Sequence, residues 1–521
     1  MKKTMLALAI LGAVLSAGAG ELQGRDPFRA DGTVVPGNPI DECVLAELAK
    51  RTIEPAPLCS DEVFVRRVYL DVIGTLPQPQ EVRDFLDDKT PGKRTALIDA
   101  LFEREEFAAY WSMKWCDLLR VKAEFPINLW PNAVQAYHKW IYEAIRANMP
   151  YDEFARQLLT SSGSNFRVAP VNFYRAIQGR DPSNIADAVG LTFMGVRLDT
   201  WPEQKRADMA AFFSRLAYKP TAEWKEEIVM LDPSAMEPLE AVFPGGKTVR
   251  IEPGQDPRRV FADWLLAPGN PYFARNIVNR AWAWLMGRGI IHEPDDIRPD
   301  NPPSNPALLA CLEDEMVKGG YDLRHIFRLI LNSRTYQQSS IPNSGDAEAE
   351  SLFAQYLVRQ LDAEVLIDAL CSIFGSKESY LSMIPEPFTY VPEYQRTILL
   401  ADGSITSPFL EMFGRPPRDT GLESERNNQP TDGQRLHMLN STHIQQNIQR
   451  SWRLRQILES NKGKPQRAVQ QLYLLILSRY PTPEEMIAVK QYMDQSRLPG
   501  PQAAADLVWA LMNTKEFLCR H

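Results

Sequence analysis

The sequence predicts a mainly α protein: two helical domains with a small β-hairpin insertion between them. Three observations carry this reading. Apolar residues recur at i, i+3, i+4 and i+7 through most of the chain, the period of a helix with one buried face. Forty prolines against 28 glycines punctuate those runs, and some stand where a first helical turn would begin. One stretch, 226–251, instead alternates as a strand does around the turn Pro244-Gly245-Gly246. At roughly 150 residues per domain, 521 residues correspond to about two to four domains.

The elements follow in order. Met1-Lys2-Lys3, an apolar run over 5–15 and Ala17-Gly18-Ala19 have the layout of a signal peptide (1–19), with cleavage after Ala19. The apolar run is too short to anchor in a bilayer, and no later run reaches the ~20 residues of a spanning helix. The expectation is a periplasmic or secreted protein without a membrane span after cleavage. In the N-terminal helical domain, 41–220, Ser60-Asp61-Glu62 starts a helix whose Phe64, Val65, Val68, Tyr69 and Val72 share a face. Helices are expected next near 105–121, 131–148, 151–161 and 205–216. The β insertion or linker occupies 221–255. The C-terminal helical domain, 256–521, has helical spacing over 257–267, 271–286, 305–318, 323–330, 352–374, 431–457, 465–478, 483–496 and 501–513.

An internal repeat runs across the two domains. Val68-Tyr69-Leu70 through Pro79-Gln80-Glu81-Val82 aligns without gaps on Leu472-Tyr473-Leu474 through Pro483-Glu484-Glu485-Met486. Each copy reads as a helix, a proline turn and a new helix, and Thr482 with Glu485 has capping-box spacing. A second echo matches Leu101 to Phe107 with Leu511 to Phe517, and Ile330 to Tyr336 repeats it again.

Composition excludes several functions. Lys+Arg 58 against Asp+Glu 66 leaves a net charge of −8, so no basic field suits nucleic acid. The six cysteines form no C-x-x-C and no C-x-x-C-H, which speaks against a zinc ribbon, a thioredoxin-like motif and covalent haem c. No cofactor is expected. Export would permit disulfides, with Cys59–Cys116 the expected pair. There is no P-loop, G-x-S-x-G, H-E-x-x-H or EF-hand spacing.

Two stretches resemble known domains. Phe64-Val65-Arg66-Arg67-Val68-Tyr69-Leu70-Asp71, Trp115-Cys116-Asp117-Leu118-Leu119-Arg120 and Pro150-Tyr151-Asp152-Glu153-Phe154 make residues 41–250 resemble the planctomycete cytochrome-associated domain of unknown function. Val278-Asn279-Arg280-Ala281-Trp282, Gly287-Arg288-Gly289-Ile290-Ile291 and Pro303-Ser304-Asn305-Pro306 make 256–520 resemble its usual C-terminal companion, also of unknown function. The resemblance implies an exported protein, often from bacteria rich in sulfatases and polysaccharide-degrading systems, and no established reaction. Relatives often carry a cytochrome-c-like domain ahead of these two. Here residues 20–40 hold no cysteine, and Ala283-Trp284-Leu285 stands where haem-bearing relatives have histidines.

Three features are candidates for chemistry. The first is the polar run Arg415, Arg418, Asp419, Glu423, Glu425, Arg426, Asn427 and Asn428, stiffened by Pro416, Pro417 and Gly421. Arginine forks bind carboxylates, phosphates or sulfates bidentately, so the run suits an anionic ligand or sugar; the alternative is a buried network tying the domain together. The second is Asp295, Asp296 and Asp300 in a proline-rich loop, whose hard oxygens suit Ca²⁺, against ordinary helix capping. The third is aromatic: Trp111, Trp115, Trp130 and Trp140, with Trp282 and Trp284 later. Exposed indoles would offer a glycan platform, whereas helical spacing favours a core. Trp282, Arg426, Asn427 and Asn428 are the sharpest single-residue candidates.

Two function classes follow. One is an extracytoplasmic enzyme or accessory factor acting on polysaccharide or another anionic ligand. The other is a non-catalytic helical scaffold that docks envelope proteins, an electron-transfer partner among them. Convergence of 292–305 and 415–428 on one cavity would favour the first; both stretches turned inward would favour the second.

Overall fold

A computed structural model describes residues 26–30 and 34–521; the signal-peptide segment lies outside the described residues. Helix accounts for 52% of the protein and strand for 6%, which settles the class as mainly α. The helices that frame the interior are α1 (Pro39–Lys50), α2 (Asp61–Val72), α3 (Glu105–Leu118), α4 (Pro131–Arg146), α5 (Phe273–Met286), α6 (Pro306–Lys318) and α7 (Ala363–Phe374). Their starts obey local chemistry. The Ser60 hydroxyl accepts from the Val63 amide at 3.2 Å, and Pro39, Pro131 and Pro306 stand in first turns, where a missing N–H costs nothing.

The apolar core is continuous through both halves of the chain. Trp111 and Trp115 of α3 lie with ring centroids 5.3 and 5.9 Å from Trp284 of α5. No helix among the described residues is long and apolar enough to cross a membrane.

The helix α1 was not expected, and three expected elements take another form. The span 431–457 is not one helix but three: Asp432–Asn440, Thr442–Arg450 and Trp452–Ser460. Ser441 and Ser451 interrupt it because each hydroxyl caps the next segment, accepting from Ile444 at 3.3 Å and Leu454 at 3.1 Å. The span 352–374 is helical only from Ala363. Upstream, Phe353 takes a left-handed backbone (φ 60°), and Arg359–Gln360 forms a strand. The β region holds two small sheets rather than one hairpin. β1 (Gly163–Ser164), β2 (Leu216–Pro220) and β3 (Glu227–Leu231) run antiparallel in the order β1-β3-β2, and β4 (Leu239–Val242) pairs with β5 (Thr248–Ile251). The short strand β6 (Arg359–Gln360) pairs with β7 (Cys519–Arg520).

The sequence repeat has a structural counterpart. α2 leads to a second helix, Pro79–Asp87, just as Pro465–Ile476 leads to Pro483–Ser496, and capping boxes open both second helices. The paired carboxylates Glu81 and Glu106 align with Glu485 and Glu516. Arg104 bridges the first pair at 2.8 and 2.7 Å. Arg479 bridges the second at 2.7 and 2.6 Å. The two arginines occupy unrelated positions of the repeat, so one electrostatic clamp is built from two sources.

Candidate functional site

The polar run 415–428 is drawn into the interior. Arg418, fully buried, donates through Nε to Asp117 Oδ1 at 2.8 Å and through Nη1 to the Ala401 carbonyl at 2.7 Å. Arg415 donates to Glu364 at 3.2 Å, to the Asp402 carbonyl at 3.2 Å and to the Ile405 carbonyl. Arg426 bridges two carboxylates: Nη2 reaches Asp117 Oδ2 at 2.7 Å, and Nη1 reaches Glu364 Oε2 at 2.7 Å. Asn428 donates to Asp362 at 2.9 Å.

Asp362 is the hub of this network. It also accepts from Lys114 at 2.9 Å, Tyr110 at 3.0 Å and Arg520 at 2.8 Å. Arg520 continues to Asp71 at 3.3 Å, which accepts from the Tyr336 and Tyr356 hydroxyls at 2.8 Å each. Burial pushes the Asp362 carboxyl up, but Lys114, Arg520 and Arg426 outweigh it and hold the group well below the usual carboxylate range. Glu364 is likewise pushed up by burial and brought down to about 2, chiefly by Arg426. Lys114 moves down because burial exceeds the attraction of Asp362.

The two polar stretches meet directly. The Glu423 amide donates to Asp295 Oδ2 at 2.6 Å, and Arg280 of α5 donates to Asp295 Oδ1 at 2.7 Å. Glu423 accepts from the Trp284 indole at 3.0 Å, and its carboxyl is raised chiefly by burial. Asp295 is thus engaged by α5, while Asp296 and Asp300 flank Arg298 at 3.3 and 3.4 Å. The three carboxylates read as a Ca²⁺ set do not gather on one point, and among the described residues no group of three His, Cys, Asp or Glu is placed to hold a metal.

The remaining candidates fall on the periphery or in the core. Asp419 pairs with Lys122 at 2.7 Å. Glu425 accepts from the Thr420 amide at 2.8 Å, and Asn427 from the Gln429 amide at 3.0 Å. Trp282 is a core residue, fully buried and edge-on to Phe353 at 5.0 Å. Cys59 and Cys116, the pair expected to bridge, are both buried and, like the other four cysteines, free. Cys59 is held in a link whose amide bonds to Gln337 at 2.8 Å, whereas Cys116 lies within α3, and burial raises its thiol to about 12.

Another surface comes from residues the sequence did not bring together. Segment 121–130 is strapped down by residues 402–404: Gly403 donates to the Val121 carbonyl at 2.9 Å, Ala123 to Asp402 at 2.9 Å and Glu124 to Ser404 at 3.0 Å. The strap ends at Trp130, whose backbone (φ 72°, ψ 148°) lies in a region that is essentially glycine's own. The Trp130 ring meets Phe388 edge-on at 5.5 Å. The Lys225 ammonium sits 5.8 Å from the Trp130 ring and 5.5 Å from that of Trp224. Lys225, between β2 and β3, also has a left-handed backbone (φ 62°). Trp224 is 68% exposed and Phe125 80%. Of this row only Trp130 was visible in the sequence, within the tryptophan cluster; Trp111 and Trp115 of that cluster are core. Trp224 and Phe388 carry no periodic signal.

Residues 39–215 match the family described as PSCyt2, Protein of unknown function (DUF1549), and residues 257–493 match PSD1, Protein of unknown function (DUF1553). Neither a curated protein nor a solved structure matches the chain.

Proposed function

This chain belongs to the family in which a PSCyt2 domain precedes a PSD1 domain, both of unknown function, and from its geometry we propose that it is an exported glycan-binding accessory protein. Its contact surface is the aromatic row Phe388, Trp130 and Trp224 with Lys225. One observation carries this reading: a half-buried tryptophan and a lysine, both held at positive φ, stand side by side between the exposed rings of Phe388 and Trp224. Strained backbone of about 1–3 kcal/mol per residue persists where surrounding structure over-determines it, and it clusters at binding sites. Flat apolar faces suit the C–H faces of pyranose rings, and the Lys225 ammonium suits an acidic sugar. The arginines of the polar run do not serve as ligand forks in this reading. Arg415 and Arg418 hold the carbonyls of Ala401, Asp402 and Ile405, beside the residues that strap down 121–124, and Arg418 also reaches the Val121 carbonyl.

The test is titration of the full chain with an acidic and a neutral polysaccharide, read by tryptophan fluorescence and calorimetry. Binding to the acidic glycan is expected, with Trp224→Ala and Phe388→Ala each weakening it about tenfold, or ~1.4 kcal/mol. Trp130→Gly relieves the backbone and removes the ring, so it should weaken binding while leaving the melting temperature level or higher. Binding untouched by all three substitutions would overturn the proposal.

A second reading, partner docking, draws on a different place. Leu458, Val469, Leu472, Val489, Met493 and Leu507 line a cleft of about 420 Å³ between the last helices, a size suited to an apolar side-chain cluster. Loss of partner binding by Val489→Lys with the aromatic row intact would favour it.

A further inference from the structure

Two cysteines that the sequence does not single out face one another. Cys43 lies on α1 and Cys311 on α6, and the two helices pack side by side. Asn305, which caps α6, also donates to the Cys43 carbonyl at 3.1 Å, so the start of α6 is fixed against α1 at the height of this residue. The two thiols are close enough that each shifts the other's ionisation, and both are free. Both residues are half-exposed, in contrast to the enclosed Cys59 and Cys116. Small oxidants can therefore reach the pair without unfolding the protein.

We propose that Cys43 and Cys311 form a disulfide that ties the first helix of the PSCyt2 domain to the PSD1 domain. The oxidant is a small-molecule or protein disulfide. Cys43 loses its proton to solvent and, as thiolate, attacks one sulfur of the oxidant, breaking that S–S bond and releasing one thiolate. Cys311, deprotonated in turn, attacks Cys43 sulfur of the mixed disulfide and releases the second thiolate. Two electrons pass from the protein to the oxidant, one protein S–S bond forms, and two small thiols leave. Burial raises the Cys43 thiol and Cys311 offsets this in part, so Cys43 is the first nucleophile. Burial raises Cys311 to about 11, so closure accelerates as pH rises. The bond would close a loop of roughly 270 residues, a length at which restricting the unfolded chain has a large effect. This inference stands apart from the glycan reading, and either can fail alone.

The test uses the full chain equilibrated with oxidised glutathione at about pH 8, then blocked with N-ethylmaleimide, digested without reductant and weighed. A cross-linked peptide pair containing Cys43 and Cys311, two hydrogens lighter than its reduced parts, is expected. Two alkylated cysteines, separate glutathione adducts, or a Cys59–Cys116 pair instead would overturn the proposal. Dithiothreitol should lower the melting temperature of the oxidised wild-type chain by roughly 5 °C or more and leave Cys43→Ser and Cys311→Ser unmoved. Should those variants not fold, the wild-type comparison decides: identical melts with and without reductant refute the tie.

Discussion

Arg426→Ala separates a brace from a ligand fork. The guanidinium donates to Asp117 at 2.7 and 3.1 Å and to Glu364 at 2.7 and 3.1 Å. Truncation leaves Asp117 with Arg418, and Glu364 with the single Arg415 contact at 3.2 Å. Removing one partner of a buried ion pair costs about 3–5 kcal/mol, because the stranded carboxylate stays desolvated. A chain of this size should then melt roughly 3–5 °C lower. Arg426→Lys keeps the charge but not the planar fork, and about half the loss is expected.

The pH dependence identifies the cause. Glu364 sits at about 2 in the folded protein and near 4.3 when unfolded. A carboxylate whose pKa is depressed by folding contributes stability that is complete above the unfolded value and lost as pH falls through the folded one. Without Arg426 its folded pKa rises and this contribution shrinks. The gap between wild type and variant should therefore be widest near neutrality and narrow from about pH 4.5 towards 2. Circular-dichroism melts at several pH values, alongside polysaccharide titration, supply both readouts. A melting temperature within about 2 °C of wild type at neutral pH, with binding abolished, would refute the reasoning and return Arg426 to a ligand site.

Three further outcomes are expected. Arg520→Ala strips a cation from both Asp71 and Asp362 and should destabilise by about 3–5 kcal/mol in urea unfolding. Of the two repeat clamps, Arg479→Ala should cost several-fold more than Arg104→Ala in the same assay, since Arg479 is 2% exposed and Arg104 32%, and exposed pairs contribute little. His138 is lowered to about 4 by burial, with Arg418 adding to it. Its contribution is complete above the unfolded value near 6.5 and lost as pH falls through about 4. His138→Phe should flatten that part of the stability–pH profile, and an unchanged profile would refute the assignment.

The fold was legible wherever local chemistry decides it. Pro306 and Ser60 mark helix starts through the missing N–H or the hydroxyl acceptor, and the repeat announced its helix, turn and helix, whereas the helix that Pro39 opens was not expected. Legibility failed where a local signal had two uses. Ser441 and Ser451 fit an exposed helical face as well as a cap, and only packing selected the caps. Leu216–Pro220 continued an apolar run by composition, yet its backbone pairs with β3. For the candidate site, the sequence located the charged run, and a buried network was one of its two readings. What it could not supply was the partner set: Asp117, Asp362, Glu364 and Lys114 lie on α3 and at α7, remote in the chain from Arg415 and Arg426. Carboxylates on otherwise apolar helices are ordinary in a sequence and become informative only when three of them meet the same cations.

The brace and the exposed aromatic row belong to one construction. Arg418 ties Asp117 on α3 to the Ala401 carbonyl, and from the adjoining loop Asp402, Gly403 and Ser404 hold 121–124. Asp419 adds Lys122. Segment 121–130 is therefore fixed from the side of the polar run and delivers Trp130 in a backbone conformation that tryptophan resists. A loop free to move would relax that residue into the ordinary extended region. Stabilisation from a desolvated ion network is thus converted into the placement of a surface ring. Loosening the brace should consequently impair the row before it unfolds the protein: in Arg426→Lys, the conservative variant, weakening of glycan binding should exceed what the fraction of unfolded molecules accounts for. Binding that declines only in step with unfolding would sever the two, leaving the network to stability alone and the aromatic row to stand unaided.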